Sequence, residues 1–458
     1  MNPGSSSFGN APALSSGSEA TGPAQITLPP AQNGSPSRPV VTYTLVAICT
    51  AIFAAMVISQ LSPRHPDTEY LLLHWGANGP LTIGGQWWRL LTSVFLHLGL
   101  LHFAVNMWCL WDLGSFAERI YGRASFLALY LITGIAGAIF SLIWRPFALE
   151  AGASGAIFGI AGALIASFCF GHLPFSRKAA KGALLSVIAF AGYSLFIGLF
   201  GNSGGIAAHM GGLLSGFVLG LMFGRTSLRV AIAVASVSMI LACVLVARTK
   251  GYVVPAARGQ KALAAGQIEQ AILDFSESVQ KNPKFAEGYL LLGQAYMQKK
   301  QPAAAETAYR RAAALQPAAT GVRYELGTAI LAQGHAADAL AIFDELARSD
   351  PKNPAAQTGI GTAAEMAGDF QRAFEAFQRA AQLDPRNPQA FVNLGSAALQ
   401  AHRNDEAIAA FSRVAELQPD NPKALLALSM AYQSAGKQKE AQEAYARAMD
   451  LAQKQPRK

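Results

Sequence analysis

Charge is what this sequence has little of. Of 458 residues only 14% are Asp, Glu, Lys or Arg, against 52% hydrophobic, a balance too apolar for an average soluble chain. Cysteine is sparse as well: Cys49, Cys109, Cys169 and Cys243 are the four in the chain. All fall inside apolar runs, which reads as buried small hydrophobes rather than a disulfide framework or a ligand set. A His-Glu-x-x-His motif is missing, and no carboxylate is placed to act as base beside the histidines. A zinc site built from His97, His102 and His209 is therefore the weaker chemistry, and no metal or cofactor is expected. The chain also lacks a basic start with an early apolar stretch, so the sequence is read as having no secretory signal peptide and its first apolar run as a retained anchor. Nor does the net charge of +9 point to nucleic acid, because its cations are scattered and no basic block occurs beyond Lys454 to Lys458.

What is present falls into three regimes. Residues 1–39 are Ser, Gly, Pro and Ala with Glu19 and Arg38 as the only charges, too little apolar content to bury a core, and are expected to be a disordered tail. Residues 40–248 are nearly all apolar. Residues 250–458 are Ala-rich and carry most of the charge.

Between Val40 and Ala247 lie seven apolar runs, at about 40–61, 91–113, 124–144, 152–171, 182–201, 205–224 and 230–247. Each approaches the roughly 17 to 25 helical residues needed to cross a bilayer core. Frequent Gly and Ala within them suit close helix packing, so a membrane bundle is predicted. The loops after the second, fourth and sixth runs hold Arg119 and Arg123, then Arg177, Lys178 and Lys181, then Arg225 and Arg229. The positive-inside rule makes those loops and the amino terminus cytoplasmic, and seven crossings put residues 250–458 outside.

In that orientation the fourth and sixth runs both travel inward from the outer face. Ser154, within Gly152-Ala153-Ser154-Gly155, and His209 then lie at similar depth near the starts of two inward helices. The second run also travels inward and carries His97, His102 and Asn106; the last two are four apart and share a helical face. Polar groups at such depth are costly unless they face a cavity and partner one another. Acyl transfer needs a hydroxyl, a base and oxyanion donors, and Ser154, His209 and the pair His102 with Asn106 fill those roles. Nothing acidic lies in the spans near Ser154 or His209, so packing must orient the histidine. Gly212, Gly216 and Gly220, spaced by four, would let the sixth helix approach the fourth closely. Trp88 and Arg89 read either as an interfacial aromatic with a snorkelling cation or as loop-folding residues. Glu118 and Arg119, at the cytoplasmic rim, are expected to pair or to face water.

These residues carry a resemblance. Trp88-Arg89, His97 with His102 and Asn106, Glu118 with Gly122, Gly-Ala-Ser-Gly at 152–155, and Ala208-His209 followed by Gly212, Gly216 and Gly220 stand in an order similar to that of rhomboid intramembrane serine proteases, from about Val40 to Gly224. The resemblance implies that Ser154 attacks the scissile carbonyl, that His209 is the general base of a dyad, and that the Ser154 amide, His102 and Asn106 hold the oxyanion. Supporting positions would be Gly152, His97, Phe158, Gly212 and Gly216. Phe158 matches a place where the family usually has tyrosine, so ring stacking on the histidine would survive and a hydroxyl is lost.

The last 200 or so residues repeat with a period of 34. Pro283, Pro317, Pro351, Pro385 and Pro419 keep it, as do Gly259, Gly293, Gly327, Gly361 and Gly395, with Ser429 in the sixth place. Ala271, Ala305, Ala339, Ala373, Ala407 and Ala441 form a third register, and Phe275, Tyr309, Phe343, Phe377, Phe411 and Tyr445 a fourth. The pattern resembles the tetratricopeptide repeat (TPR), in which two antiparallel helices per unit stack into a solenoid. Such arrays bind proteins or peptides, and Tyr289, Gln294, Tyr324, Asn393 and Gln400 are candidate groove residues.

The expected fold is all-α: a polytopic membrane bundle with a six-helix rhomboid core and a seventh transmembrane helix, followed by an α-solenoid of TPR helix pairs. Its parts are a disordered tail (1–39), a rhomboid protease membrane domain (40–229), a seventh transmembrane helix (230–249), six TPR repeats (250–453) and a basic tail (454–458). The expected function is an intramembrane serine endopeptidase cutting single-span or polytopic substrates near the outer face. The bilayer and a protein or peptide in the repeat groove are its expected partners, and a bacterial inner membrane its location. A catalytically silent membrane adaptor working through its repeats is the alternative; a transporter would show inverted repeats and interrupted helices.

Overall fold

The computed structural model describes residues 38–60, 75–97, 99–170, 205–223 and 225–454. The chain divides into two compact units, Met1–Val246 and Ala247–Lys458. Of the sequence expectations, the tail up to residue 37 and the apolar run at 182–201 lie outside the described residues.

In the first unit α1 spans Val40–Gln60. A two-residue strand β1 (Ala77–Asn78) leads into the short α2 (Gly79–Ile83), then α3 (Arg89–Thr92) and a 3-10 turn (Ser93–Phe95). The apolar run at 91–113, expected to be one crossing, is not one helix. It breaks after Phe95, and α4 (Leu100–Cys109) continues through a π-turn (Leu110–Gly114) into α5 (Ser115–Tyr121). The parts before and after the break are bent by 91°. Gly99 makes the turn at φ +80°, a backbone region that L-residues with a Cβ seldom occupy. The helix after the break therefore starts at Leu100 and reaches Tyr121, and His97 sits in the break rather than on a helical face.

The unit continues with α6 (Arg123–Trp144), β2 (Leu149–Glu150), α7 (Ser154–Cys169), α8 (Gly205–Phe223) and most of α9 (Leu228–Lys250), whose residues from Ala247 on belong to the second unit. Strands β1 and β2 pair antiparallel, with Ala77 opposite Glu150 and Asn78 opposite Leu149. Helices α6, α8, α9 and the Val40–Ile58 part of α1 are long and apolar enough to cross a membrane, whereas α7 has 16 residues. Leu110, Leu113, Phe126, Leu129, Tyr130 and Ile157 form the centre of the core.

Two charged residues are placed by burial. Glu118 does not face water: it is buried, and its carboxylate accepts from the Val41 N–H at 3.0 Å, the Thr42 N–H at 2.7 Å and the Thr42 hydroxyl at 2.8 Å. The first N–H groups of a helix have no intrahelical acceptor, and an anion there also meets the positive end of the helix dipole. Glu118 thus caps α1. Arg89 is buried too, donating to the Gly76 carbonyl at 3.0 Å and to Gln86 Oε1 at 2.6 Å. Of the two readings open for it, these bonds fit the loop-folding one, while Trp88 beside it is exposed. Among the cysteines, Cys49 and Cys109 are buried, but Cys169 is exposed because it closes α7.

The second unit is built from helix pairs: Val253–Ala264 with Ile268–Lys281, Ala286–Gln298 with Pro302–Leu315, Thr320–Leu331 with Ala336–Ser349, Pro354–Met366 with Phe370–Leu383, Pro388–Gln400 with Asn404–Leu417, and Pro422–Ser434 with Gln438–Lys454. Asn353, Asn387 and Asn421 cap three first helices through their side chains, each ahead of a proline in the first turn, the favoured chemistry at both positions. The register glycine lets the second-helix aromatic of its own unit lie against the backbone. A Cβ on Gly293 would come 2.4 Å from the Tyr309 ring, and one on Gly395 would come 2.7 Å from Phe411. In the sixth unit Ser429 has that Cβ, its hydroxyl donates to the Ala441 carbonyl at 2.7 Å, and Tyr445 is exposed.

Candidate active site

Ser154 is the first residue of α7, and three backbone features hold it there. Gly152 has φ +140° and donates its N–H to the Ser93 carbonyl at 2.9 Å, which docks the loop on the 3-10 turn ahead of the break. The Ala153 N–H donates to His97 Nε2 at 3.5 Å. A Cβ at position 152 would lie 3.0 Å from His102 Cε1 and 3.8 Å from Ser154 Oγ. A side chain at 152 would crowd the His102 imidazole at a backbone angle that L-residues rarely adopt, so the position suits glycine.

His209, the fifth residue of α8, reaches Ser154 across the α7–α8 contact. Its Nε2 lies 2.9 Å from Ser154 Oγ, within reach for proton transfer. Phe158, one turn beyond the serine, stacks on the His209 ring with centroids 4.4 Å apart and planes inclined by 26°. The glycine stripe makes the approach possible. A Cβ at Gly212 would be 2.0 Å from the Gly155 carbonyl oxygen, and one at Gly216 would be 1.9 Å from that of Gly159. Gly220 lies against Ala163 in the same way. Backbone meets backbone along the whole contact.

His102 and Asn106 sit one turn apart on α4. Asn106 is fully buried; its Nδ2 donates to the His102 carbonyl at 2.7 Å, and its Oδ1 has no hydrogen-bond partner. The amide nitrogen carries a second hydrogen beyond the one this bond uses. His97 is buried, with its ring 5.7 Å from that of His102 and edge-on to Phe103 at 5.5 Å. Ser154, His209, His102, Phe158, Gly152 and His97 are therefore brought together around the start of α7, Asn106 is tied to them through the His102 carbonyl, and Gly212 and Gly216 lie along the α7–α8 contact. Among the described residues no three His, Cys, Asp or Glu side chains converge as a metal-ligand set.

Sequence reasoning passed over three contributors. Ser93 supplies the carbonyl that holds Gly152, and nothing in its neighbourhood marks it. Gly159 completes, with the Gly155 already marked by the serine motif, the other half of the glycine contact, and their four-residue spacing, continued by Ala163, was the available signal. In the outer loop Glu150 accepts a hydrogen bond from the Ser141 hydroxyl, and burial pushes its carboxyl above the usual glutamate range while that bond and Arg145 pull it back.

The sequence matches the rhomboid domain over residues 84–226 and the C-terminal domain of cilia and flagella-associated protein 70 over residues 238–457. It is 37% identical over 186 residues to the rhomboid protease GluP of Bacillus subtilis, covering 41% of this chain and 34% of that protein, so the chain spans about a third of that relative's length. To the rhomboid protease AarA of Providencia stuartii it is 31% identical over 204 residues, covering 40% of this chain and 72% of that protein. Among solved structures it is similar to YrrB, described as a TPR protein with an unusual peptide-binding site, at 20% identity and a TM-score of 0.34, covering 39% of this chain and 93% of that one. The chain is an integral membrane protein that belongs to the rhomboid family, with a TPR-like region of helical repeats following its rhomboid domain.

Proposed function

We propose that the protein is an intramembrane serine endopeptidase in which Ser154 and His209 form the catalytic dyad. The observation that carries this reading is the 2.9 Å contact between Ser154 Oγ and His209 Nε2 at the start of an apolar helix. His209 accepts the serine proton as Oγ attacks the scissile carbonyl, and the imidazolium then gives that proton to the leaving amine. Water, activated by the same imidazole, releases the acyl group and restores Ser154. The tetrahedral oxyanion is held by the Ser154 N–H, one of the amides at a helix start that lack an intrahelical acceptor, by Asn106 Nδ2 and by His102. His97, Gly152 and Phe158 keep these groups in place, and Gly212 and Gly216 set the distance between the two helices.

A substrate helix has its carbonyls bonded internally, and it must unwind before one can reach Ser154. Segments with helix-weakening residues at the cut are the preferred substrates. Cleavage occurs toward the extracytoplasmic face, where the inward helices begin, and the membrane is a bacterial inner one. The parts act as the protease domain (40–229), a seventh crossing (230–249), six repeats (250–453) and a basic tail (454–458). The repeats lie outside and recruit substrate or a partner protein.

The test compares the intact protein with Ser154→Ala at equal expression on a panel of tagged single-span substrates. Loss of all cleavage in the variant is expected. Equal cleavage by both would remove Ser154 as nucleophile, and no cleavage by either would favour the adaptor working through its repeats.

A further inference from the structure

The second helices of the third and fourth repeat units, Ala336–Ser349 and Phe370–Leu383, flank a cleft of about 970 Å³. Its walls follow from helical spacing. Arg372, Glu375, Ala376, Arg379, Gln382 and Leu383 recur at three- and four-residue steps along one helix face, and Asp344 and Arg348 stand one turn apart on the facing helix. The buried Gln357 and Ile360, from the first helix of the fourth unit, also line it.

The charges along this cleft are unevenly satisfied. Arg372 reaches across to Asp344, with Nη2 2.7 Å from Oδ2 and 3.0 Å from Oδ1, which ties the two helices at that level. One turn further on, Arg348 and Arg379 have no carboxylate within ion-pair distance among the described residues. Glu375, the acid that also lines the cleft, is turned back to accept from Gln371 at 2.7 Å. With Arg372 and Asp344 paired, the site offers two guanidiniums against the one carboxylate of Glu375, together with an apolar lining of Ile360, Ala376 and Leu383. In contrast, several candidate groove residues are held by their own chain: Gln400 donates to Glu365 at 2.7 Å, Asn393 accepts from Gln389 at 2.8 Å, and the Tyr324 ring lies against Phe343.

We propose that the cleft between the second helices of the third and fourth units is a docking site for an extended acidic peptide, with carboxylates on Arg348 and Arg379 and an apolar side chain against Ile360 and Leu383. Guanidinium matches carboxylate in a two-pronged geometry, and a peptide strand presents alternate side chains to opposite sides, so acidic and apolar residues in alternation meet rim and wall together. The inference rests on the reading that the repeats recruit a protein or peptide, and it names where and by what chemistry.

The experiment uses the full-length protein in detergent micelles and fluorescein-labelled ten-residue peptides that alternate Asp or Glu with Leu, Ile or Phe. Each peptide is paired with a counterpart in which Lys or Arg replaces the acids, and binding is read by fluorescence anisotropy. Acidic peptides are expected to bind, their basic counterparts not, and affinity to fall as salt rises. Arg348→Glu with Arg379→Glu, two exposed positions, should weaken binding about tenfold or more, while Gln294→Ala with Thr328→Ala on the first helices should leave it unchanged. Equal binding of acidic and basic peptides, or loss only in the first-helix variant, overturns the cleft. Ser154-dependent cleavage measured on the same preparation separates the two readings: cleavage without acidic-peptide binding sinks the docking site and leaves the protease standing.

Discussion

Two demands meet on the amide of Asn106. One hydrogen of Nδ2 is committed to the His102 carbonyl, which fixes the side chain, and in the proposed mechanism the other meets the developing negative charge. Because the group is fully buried, its donor works in a water-poor surrounding where hydrogen bonds to charge are strongest. Asn106→Ala is expected to lower kcat about 10² to 10³-fold with a much smaller change in KM, checked by steady-state cleavage in micelles; a KM effect alone would make Asn106 a substrate contact. Glu150 supplies a second prediction at this scale. Burial raises its folded-state pKa, so the folded protein holds that proton more readily than the unfolded chain does. Its stabilising effect is fully present below the ordinary glutamate pKa and is lost as pH rises through the folded value. Glu150→Gln, neutral throughout, should match the native protein in acid and exceed it in thermal stability at neutral pH; the same difference at every pH would contradict this.

Among the elements, the repeat turns hold a feature that the sequence states incompletely. Gly266, Gly334, Gly368 and Gly436 all have positive φ, and at the same place in the period Lys300 and His402 adopt φ of 60° and 59°. A left-handed residue with a Cβ costs about 1 to 2 kcal/mol, and glycine gives back part of that gain as chain entropy. Lys300→Gly and His402→Gly should each stabilise the repeat unit by up to about 1 kcal/mol, seen as a raised Tm; a lowered Tm would mean that those side chains contribute contacts worth more than the strain. The period of 34 made the repeat helices legible, since proline, glycine, alanine and aromatic registers all returned in step. In the membrane unit, Ser154, His209 and the glycine stripe were legible because each breaks an apolar background. The break ahead of Leu100 was not, because hydropathy runs unbroken through Leu96 and Leu100 and only Gly99 hints at a turn. Strands β1 and β2, two residues each, are too short to show alternation. Glu118 looked like a rim charge because its partners, Val41 and Thr42, are far away in sequence and donate mainly through backbone.

For the whole molecule, function turns on which side of the membrane each unit works. Helix α9 carries no charge between Val230 and Ala247, and its outward residues, among them Val237, Ile240, Leu241 and Leu245, are exposed and apolar, as a lipid-facing surface should be. Cations gather on the loops assigned to the cytoplasm: Arg119 and Arg123, the Arg177 to Lys181 group, and Arg225 with Arg229. In the proposed topology of seven crossings, an odd number carries the repeats across. Alkaline phosphatase fused after Lys250 should be active and β-galactosidase at the same point inactive. The reverse pattern would put the acidic-peptide cleft in the cytoplasm and the peptidase site outside. The repeats could then act on a substrate only through its cytoplasmic segment, and recruitment and cutting would be joined by the substrate helix itself.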